Sequence, residues 1–228
     1  LVHPARPNRI IIANGIVGMM SSEDDGNSFQ RMKMPAEANY PDAVVIHPGQ
    51  PDLLFMSAGV GWPVHWYELG RARGKMFRSR DAGKTWEKSL YISEKAGCAD
   101  VSIDPLHPDI IYATTWEFRR LPYLFNSGGV GSGIYKSTDG GKTWKEINKG
   151  LPAKPFGRVA LAVTPSAPEN LLAIVEAKET GLFISADGGE TWKPQSATLN
   201  VTSRPFYFST LVVDPKDPKR VYRPAFSF

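Results

Sequence analysis

Ser79-Arg80-Asp81-Ala82-Gly83-Lys84-Thr85-Trp86 decides the fold, because the chain repeats it. Ser137-x-Asp139-x-Gly141-x-Thr143-Trp144 and Ser185-x-Asp187-x-Gly189-x-Thr191-Trp192 follow, and Ser22-x-Asp24-x-Gly26-x-Ser28-Phe29 is a degenerate copy upstream. The Asp positions are 57, 58 and 48 residues apart, a period typical of solenoids and propellers. The residue types suit a tight hairpin. Asp accepts hydrogen bonds from backbone N–H groups of its own turn. Gly tolerates φ > 0 where the chain reverses. Thr-Trp restarts a strand with β-favouring residues, and the indole offers a large apolar face to a neighbouring sheet.

A second repeat runs in register with the first. Pro4/Pro7, Pro48/Pro51, Pro105/Pro108, Pro165/Pro168 and Pro215/Pro218 form five P-x-x-P turns and use ten of the nineteen prolines. Each lies between apolar runs such as Ala43–Ile46 and Leu53–Met56, which read as buried strands. Proline lacks an N–H and belongs in the connection rather than in the ladder. One unit therefore reads strand, P-x-x-P turn, strand, variable loop, strand, Asp turn, strand.

The S-x-D-x-G-x-T-W octet resembles the Asp-box, or BNR repeat, of sialidases, xyloglucanases and sortilin-type receptors. The stretch from about Ala96 to Tyr222 is most similar to bacterial BNR-repeat proteins related to the sortilin-type propeller. The resemblance implies an all-β fold, a β-propeller of four-stranded antiparallel blades. Residues 1–228 are expected to form one propeller domain, with blades near 1–35, 42–91, 99–148 and 157–197 and a partial blade at 208–228. About four and a half blades imply a segment of a longer propeller or an unusually closed ring. Open blade edges would favour self-association or a larger assembly. The Asp-box residues Asp24, Asp81, Asp139, Asp187, Trp86, Trp144 and Trp192 are read as structural, not as metal ligands or catalysts.

Composition narrows the function classes. The 228 residues are 42% hydrophobic and 22% charged, as in an ordinary globular protein. No apolar run is long enough for a membrane span. A net charge of +4, spread along the chain, does not suggest a nucleic-acid binder. The single Cys98 excludes an internal disulfide and a cysteine cage, and a buried structural thiol is expected there. No metal or cofactor motif is present. The chain opens on Leu1 directly into strand-like sequence, so any targeting signal is expected to have been removed or never to have existed, and family resemblance implies an extracytoplasmic, secreted or periplasmic, protein.

Function is expected on the variable second turns of the blades. In the second blade that turn runs from Gly61 to Gly74, and in the third it runs from Trp116 through Ser127 and a glycine-rich stretch to Gly133. The three tryptophans outside the Asp-boxes, Trp62, Trp66 and Trp116, all fall there. Candidate ligand-binding residues are Trp62, His65, Trp66, Tyr67, Arg71, Arg73, Trp116, Arg119, Arg120, Tyr123 and, from a blade connection, Arg204. Aromatic faces stack on sugar rings or pack on peptide side chains, and arginine forks suit carboxylates. The alternative is that the aromatics pack the loops down and the arginines are solvated. Glu68 and Glu117 are the available carboxylate pair for a glycosidase, which needs two flanking the scissile bond. Pairing with Arg71 and Arg119 is the competing role for them. The F/Y-R-I-P segment that the resemblance to sialidases would bring is absent. The reading that follows is a non-catalytic propeller binding a glycan or protein segment, with a polysaccharide-active glycoside hydrolase as the alternative.

Overall fold

The computed structural model describes residues 1–3, 5–62, 64, 66, 68, 71–198, 203, 206 and 210–224. They group into two compact units, Leu1–Gly97 and Cys98–Phe228. The fold is all-β and is built from four-stranded antiparallel meanders, as the repeats require.

The first unit holds two sheets. One runs β1 (Val2–His3), β2 (Arg6–Asn14), β3 (Gly18–Ser22), β4 (Gln30–Arg31) in sequence order. The other runs β5 (Tyr40–His47), β6 (Gln50–Gly59), β7 (Lys75–Ser79), β8 (Glu87–Leu90). Ile11 and Met19 of the first sheet pack against Leu54, Met56 and Phe77 of the second. In the second unit β9 (Ala96–Ile103), which begins at the boundary, pairs with β10 (Ile111–Leu121). The path continues through β12 (Gly133–Ser137) to β13 (Lys145–Glu146), and β11 (Leu124–Ser127) folds back on the far end of β10. A fourth sheet is β14 (Val159–Val163), β15 (Leu171–Val175), β16 (Gly181–Ser185), β17 (Lys193–Ser196), and β18 (Val212–Val213) pairs with β19 (Val221–Tyr222).

The run Leu171-Leu172-Ala173-Ile174-Val175 is wholly apolar because both faces of its strand are buried. Leu171, Ala173 and Val175 join a core with Tyr112, Ile134 and Trp192, whereas Leu172 and Ile174 pack with Leu211 and Val213 on the other side.

The first four P-x-x-P turns are each tied to the Asp-box of their own sheet. The residue after the box Asp donates its N–H to the carbonyl of the residue after the second Pro. The pairs are Asp25 to Asn8, Ala82 to Asp52, Gly140 to Asp109 and Gly188 to Glu169, at 2.9–3.0 Å. The residue before the first Pro caps its own turn by accepting the N–H two residues on. His3, His47, Asp104 and Asp214 do so from Ala5, Gly49, Leu106 and Lys216. Two of the scaffold histidines thus stand in for an Asp. Cys98 is half-buried rather than buried, with its Sγ 3.5 Å from the Asp100 carbonyl.

Candidate functional site

The Asp-boxes are closed structural networks. In each, the Ser Oγ donates to the Asp Oδ1 and accepts the N–H of the box Gly at 2.8 Å. The Asp Oδ1 accepts the N–H of the following Thr or Ser, and its Oδ2 accepts the hydroxyl. These hydrogen bonds hold Asp24, Asp81 and Asp187 down at a pKa of about 2, and Asp139 lower still. Two of the indoles reach across to the preceding sheet of their own unit. Trp86 Nε1 donates to the Lys33 carbonyl at 3.0 Å, and Trp192 Nε1 to the Ile147 carbonyl at 2.7 Å.

In the first unit, the loop after β6 is anchored by its own aromatics. Trp66 Nε1 donates to the Val60 carbonyl at 2.6 Å, and its ring meets Tyr40 edge-on at 5.1 Å. Gly59 lies beneath that ring, where a Cβ would come within 3.3 Å of it. Trp66 is therefore spent on packing, whereas Trp62 is half exposed. Arg71 and Arg73 converge on Glu94, with Nε to carboxylate distances of 3.7 and 3.5 Å. Sequence proximity to Glu68 did not identify that partner. Glu68 is exposed. His65, Tyr67 and Arg204 lie outside the described residues.

In the second unit, the stretch from Trp116 to Ser127 is a strand pair and not a loop. β10 continues to Leu121, turns at Pro122-Tyr123 and returns as β11, with Phe118–Ser127, Arg119–Asn126, Arg120–Phe125 and Leu121–Leu124 opposite one another. The period of two then sorts the side chains. Trp116, Phe118 and Arg120 share a face with Phe125 and Ser127. Trp116 and Phe118 rings lie 4.4 Å apart, Phe118 and Phe125 5.7 Å, and the Arg120 guanidinium is 5.9 Å from the Phe125 ring. Phe206 extends the row at 4.7 Å from Phe125. Glu117 and Arg119 take the opposite face, so Arg119 does not join Arg120. Tyr123 stands at the hairpin tip, 79% exposed.

Two residues that sequence reasoning missed orient this aromatic row. Glu176 Oε2 accepts the Ser127 hydroxyl and the Arg158 N–H, both at 2.7 Å, and Ser127 Oγ in turn accepts Trp116 Nε1 at 3.0 Å. Arg158 places its guanidinium 5.7 Å from the Trp116 ring and donates Nη1 to the Phe206 carbonyl at 3.2 Å. The alternation in Trp116-x-Phe118-x-Arg120 could have revealed the shared face, but Arg158 and Glu176 come from another sheet and carry no motif.

Glu117 is held by the glycine-rich stretch. Its Oε1 accepts the Gly131 N–H at 2.8 Å, and its own N–H donates to Ser132 Oγ at 3.0 Å. A Cβ on Gly129 would fall 2.0 Å from Glu117 Oε2, so only glycine fits against the carboxylate. Asp100 differs. It is exposed, and desolvation on its protein side pushes its carboxyl pKa up against hydrogen bonds from the Val101 and Leu161 N–H groups and the charge of Arg158. Among the described residues no cluster of His, Cys, Asp and Glu has the arrangement of a metal site.

Comparison with known proteins places these features. Residues 74–222 match the family model Sortilin-Vps10 (sortilin, neurotensin receptor 3). A probable oligoxyloglucan-reducing end-specific xyloglucanase of Neosartorya fischeri is 25% identical over 170 residues, covering 67% of this chain and 17% of the relative. The GH74 xyloglucanase of Xanthomonas campestris superposes with a TM-score of 0.73 at 18% identity, covering 98% of this chain and 34% of that one. The GH74 enzyme of Niastella koreensis does so with 0.71 at 17% identity, with the same coverages. The chain thus spans about a third of those solved structures and under a fifth of the curated relative. The family match covers more than half of the chain and agrees with its Asp-boxes and four-stranded meanders: the chain belongs to the Sortilin-Vps10 family.

Proposed function

We propose that this chain is part of an extracytoplasmic binding propeller that recognises a glycan or protein segment on the Trp116 face without cleaving it. The observation that carries this is the oriented aromatic row. Trp116 is fixed by Ser127 and Glu176 and backed by Arg158, and Phe118 and Phe125 beside it are each about 40% exposed. A pre-oriented aromatic platform binds with little ordering cost. Arg120, Tyr123 and Arg204 remain candidates for contacts around it, Arg119 remains one for the opposite strand face, and Trp62, His65, Tyr67, Arg71 and Arg73 remain candidates for a ligand surface of the first unit taken by itself. Glu117, tied to Gly131, supports a structural rather than a catalytic role for the nearest carboxylate of the expected pair.

A hydrolase reading has one observation in its favour. Asp100 has its carboxyl pKa raised by desolvation beside Arg158, the direction a general acid needs. It also has the xyloglucanase relative.

The two readings separate on a panel of polysaccharides, xyloglucan included, and an array of peptides, probed with the parent protein and Trp116→Ala. Binding by the parent that falls about tenfold or more in Trp116→Ala supports the binding face. Equal binding by both proteins to every ligand retained would remove it.

A further inference from the structure

The internal repeat supplies a control for judging which surface residues the scaffold needs. In the first unit, a cleft of about 680 Å³ opens between the first two sheets beside an Asp-box. Five cations line it, Arg6, Arg9, Arg31, Lys33 and Lys84, against the carboxylates Glu23, Asp52 and Asp81. All three carboxylates are engaged. Asp52 takes Arg6 at 2.6 Å and Arg9 at 3.8 Å, Glu23 takes Arg9 at 3.0 Å, and Asp81 is held by its own box. Arg31, Lys33 and Lys84 are exposed and enter no ion pair among the described residues.

Arg9 is the floor. Its side chain is only 6% exposed. Nη2 donates to the Ala82 carbonyl at 2.7 Å, while Nε and Nη1, closed to solvent, are held by the ion pairs with Glu23 and Asp52 rather than by hydrogen bonds. With Arg6 and Arg9 set against Glu23 and Asp52, the excess positive charge of the cleft comes from Arg31, Lys33 and Lys84.

The corresponding junction between the two complete sheets of the second unit has the opposite sign. Pairing and box positions put Ile110 where Arg9 stands, Glu146 for Arg31, Asn148 for Lys33 and Glu190 for Lys84. Lys136, in the place of Ser21, and Lys145, in the place of Gln30, both pair with Glu190 there, Glu146 takes Lys154, and Glu169 and Asp187 stand in the places of Asp52 and Asp81. Lys136 and Tyr112 cap the Gly188 carbonyl as Arg9 caps that of Ala82. The Asp-box scaffold therefore needs one group on that carbonyl. It does not need Arg31, Lys33 or Lys84.

The geometry points to an oxyanion-binding cleft in the first unit, seated on Arg31, Lys33 and Lys84 above Arg9, that takes the sulfate or carboxylate groups of an acidic polysaccharide. Among the described residues, Met32 and Ala82 are, apart from glycine, its only apolar lining, so it offers charge without the side-chain pockets a peptide would use. Arginine forks and lysine ammonium groups together suit oxyanions spaced along a polymer.

The test uses the whole chain with dextran sulfate, polygalacturonate, neutral dextran and a poly-glutamate peptide, at rising NaCl. The parent should bind dextran sulfate, polygalacturonate or both, more weakly as salt increases, and ignore neutral dextran. Arg31→Glu/Lys33→Asn/Lys84→Glu imports the residues of the second unit's junction. It should lose about tenfold or more in affinity while keeping its melting temperature within about 3 °C and its binding on the Trp116 face. The milder Lys33→Gln/Lys84→Gln should lose about threefold. Preference for dextran sulfate assigns sulfate esters, and preference for polygalacturonate assigns uronates. Unchanged affinity in both variants, equal binding of neutral dextran, no binding of either acidic polysaccharide by the parent, or tighter binding of poly-glutamate would overturn the proposal.

Discussion

The residue after each box Asp is constrained by its backbone although its identity varies. Asp25, Ala82, Gly140 and Gly188 all lie in the left-handed region, with φ of 59°, 63°, 68° and 66°, because only that geometry turns their N–H toward the P-x-x-P turn. A Cβ there costs about 1–2 kcal/mol. Gly140→Ala should therefore lose about 1–2 kcal/mol in urea unfolding. Ala82→Gly should gain up to about 1 kcal/mol, the strain relief being partly offset by chain entropy. The box carboxylates add a pH dependence whose sign follows from their depressed pKa values. Their contribution is fully present above 3.8, the ordinary Asp value, and is lost as pH falls toward about 2. Tryptophan fluorescence followed from pH 5 to about 1.5 should show acid destabilisation, and the Asp81→Asn variant should show a shallower slope over that window. The octet announces the Ser, Asp, Gly and Thr roles openly. The left-handed position was not legible, because Asp and Ala occupy it in two copies and the octet leaves it variable.

Among the elements, Trp86 and Trp192 each bind one sheet to the sheet before it within their unit. Trp192 is 3% exposed and donates to Ile147 across the sheet gap. Trp192→Phe removes that hydrogen bond and leaves the Ile147 carbonyl unpaired, at a cost of about 2–3 kcal/mol in chemical denaturation. The strand pattern and turns could be read because period-two alternation and proline punctuation are local signals. The site was less legible. The stretch from Trp116 to Ser127 reads as a loop when its length is compared with other second turns, yet its alternation makes it a hairpin. Arg71 and Arg73 pair with Glu94, and Trp116 leans on Ser127, Arg158 and Glu176. Such partners are set by which turns the sheets bring together, and sequence distance does not encode it. Glu117→Ala should free the Gly131 N–H and loosen the glycine-rich stretch by about 1–3 kcal/mol, without touching the Trp116 face.

For the whole molecule, we propose that residues 1–228 act as one domain, since the same blade unit recurs along them. A single calorimetric transition, with calorimetric and van 't Hoff enthalpies equal, would support one domain, and two resolved transitions would divide the chain near residue 97. Membership of a family by shared blades leaves function to the grafted site. The central claim is that the Trp116 face binds and does not cleave. The most direct test is prolonged incubation of the parent protein with the polysaccharide panel, followed by mass spectrometry of soluble products. Unshortened chains throughout are the predicted result. Release of oligosaccharides that persists in Glu117→Gln and vanishes in Asp100→Asn would contradict it and make Asp100 the acid of a hydrolase.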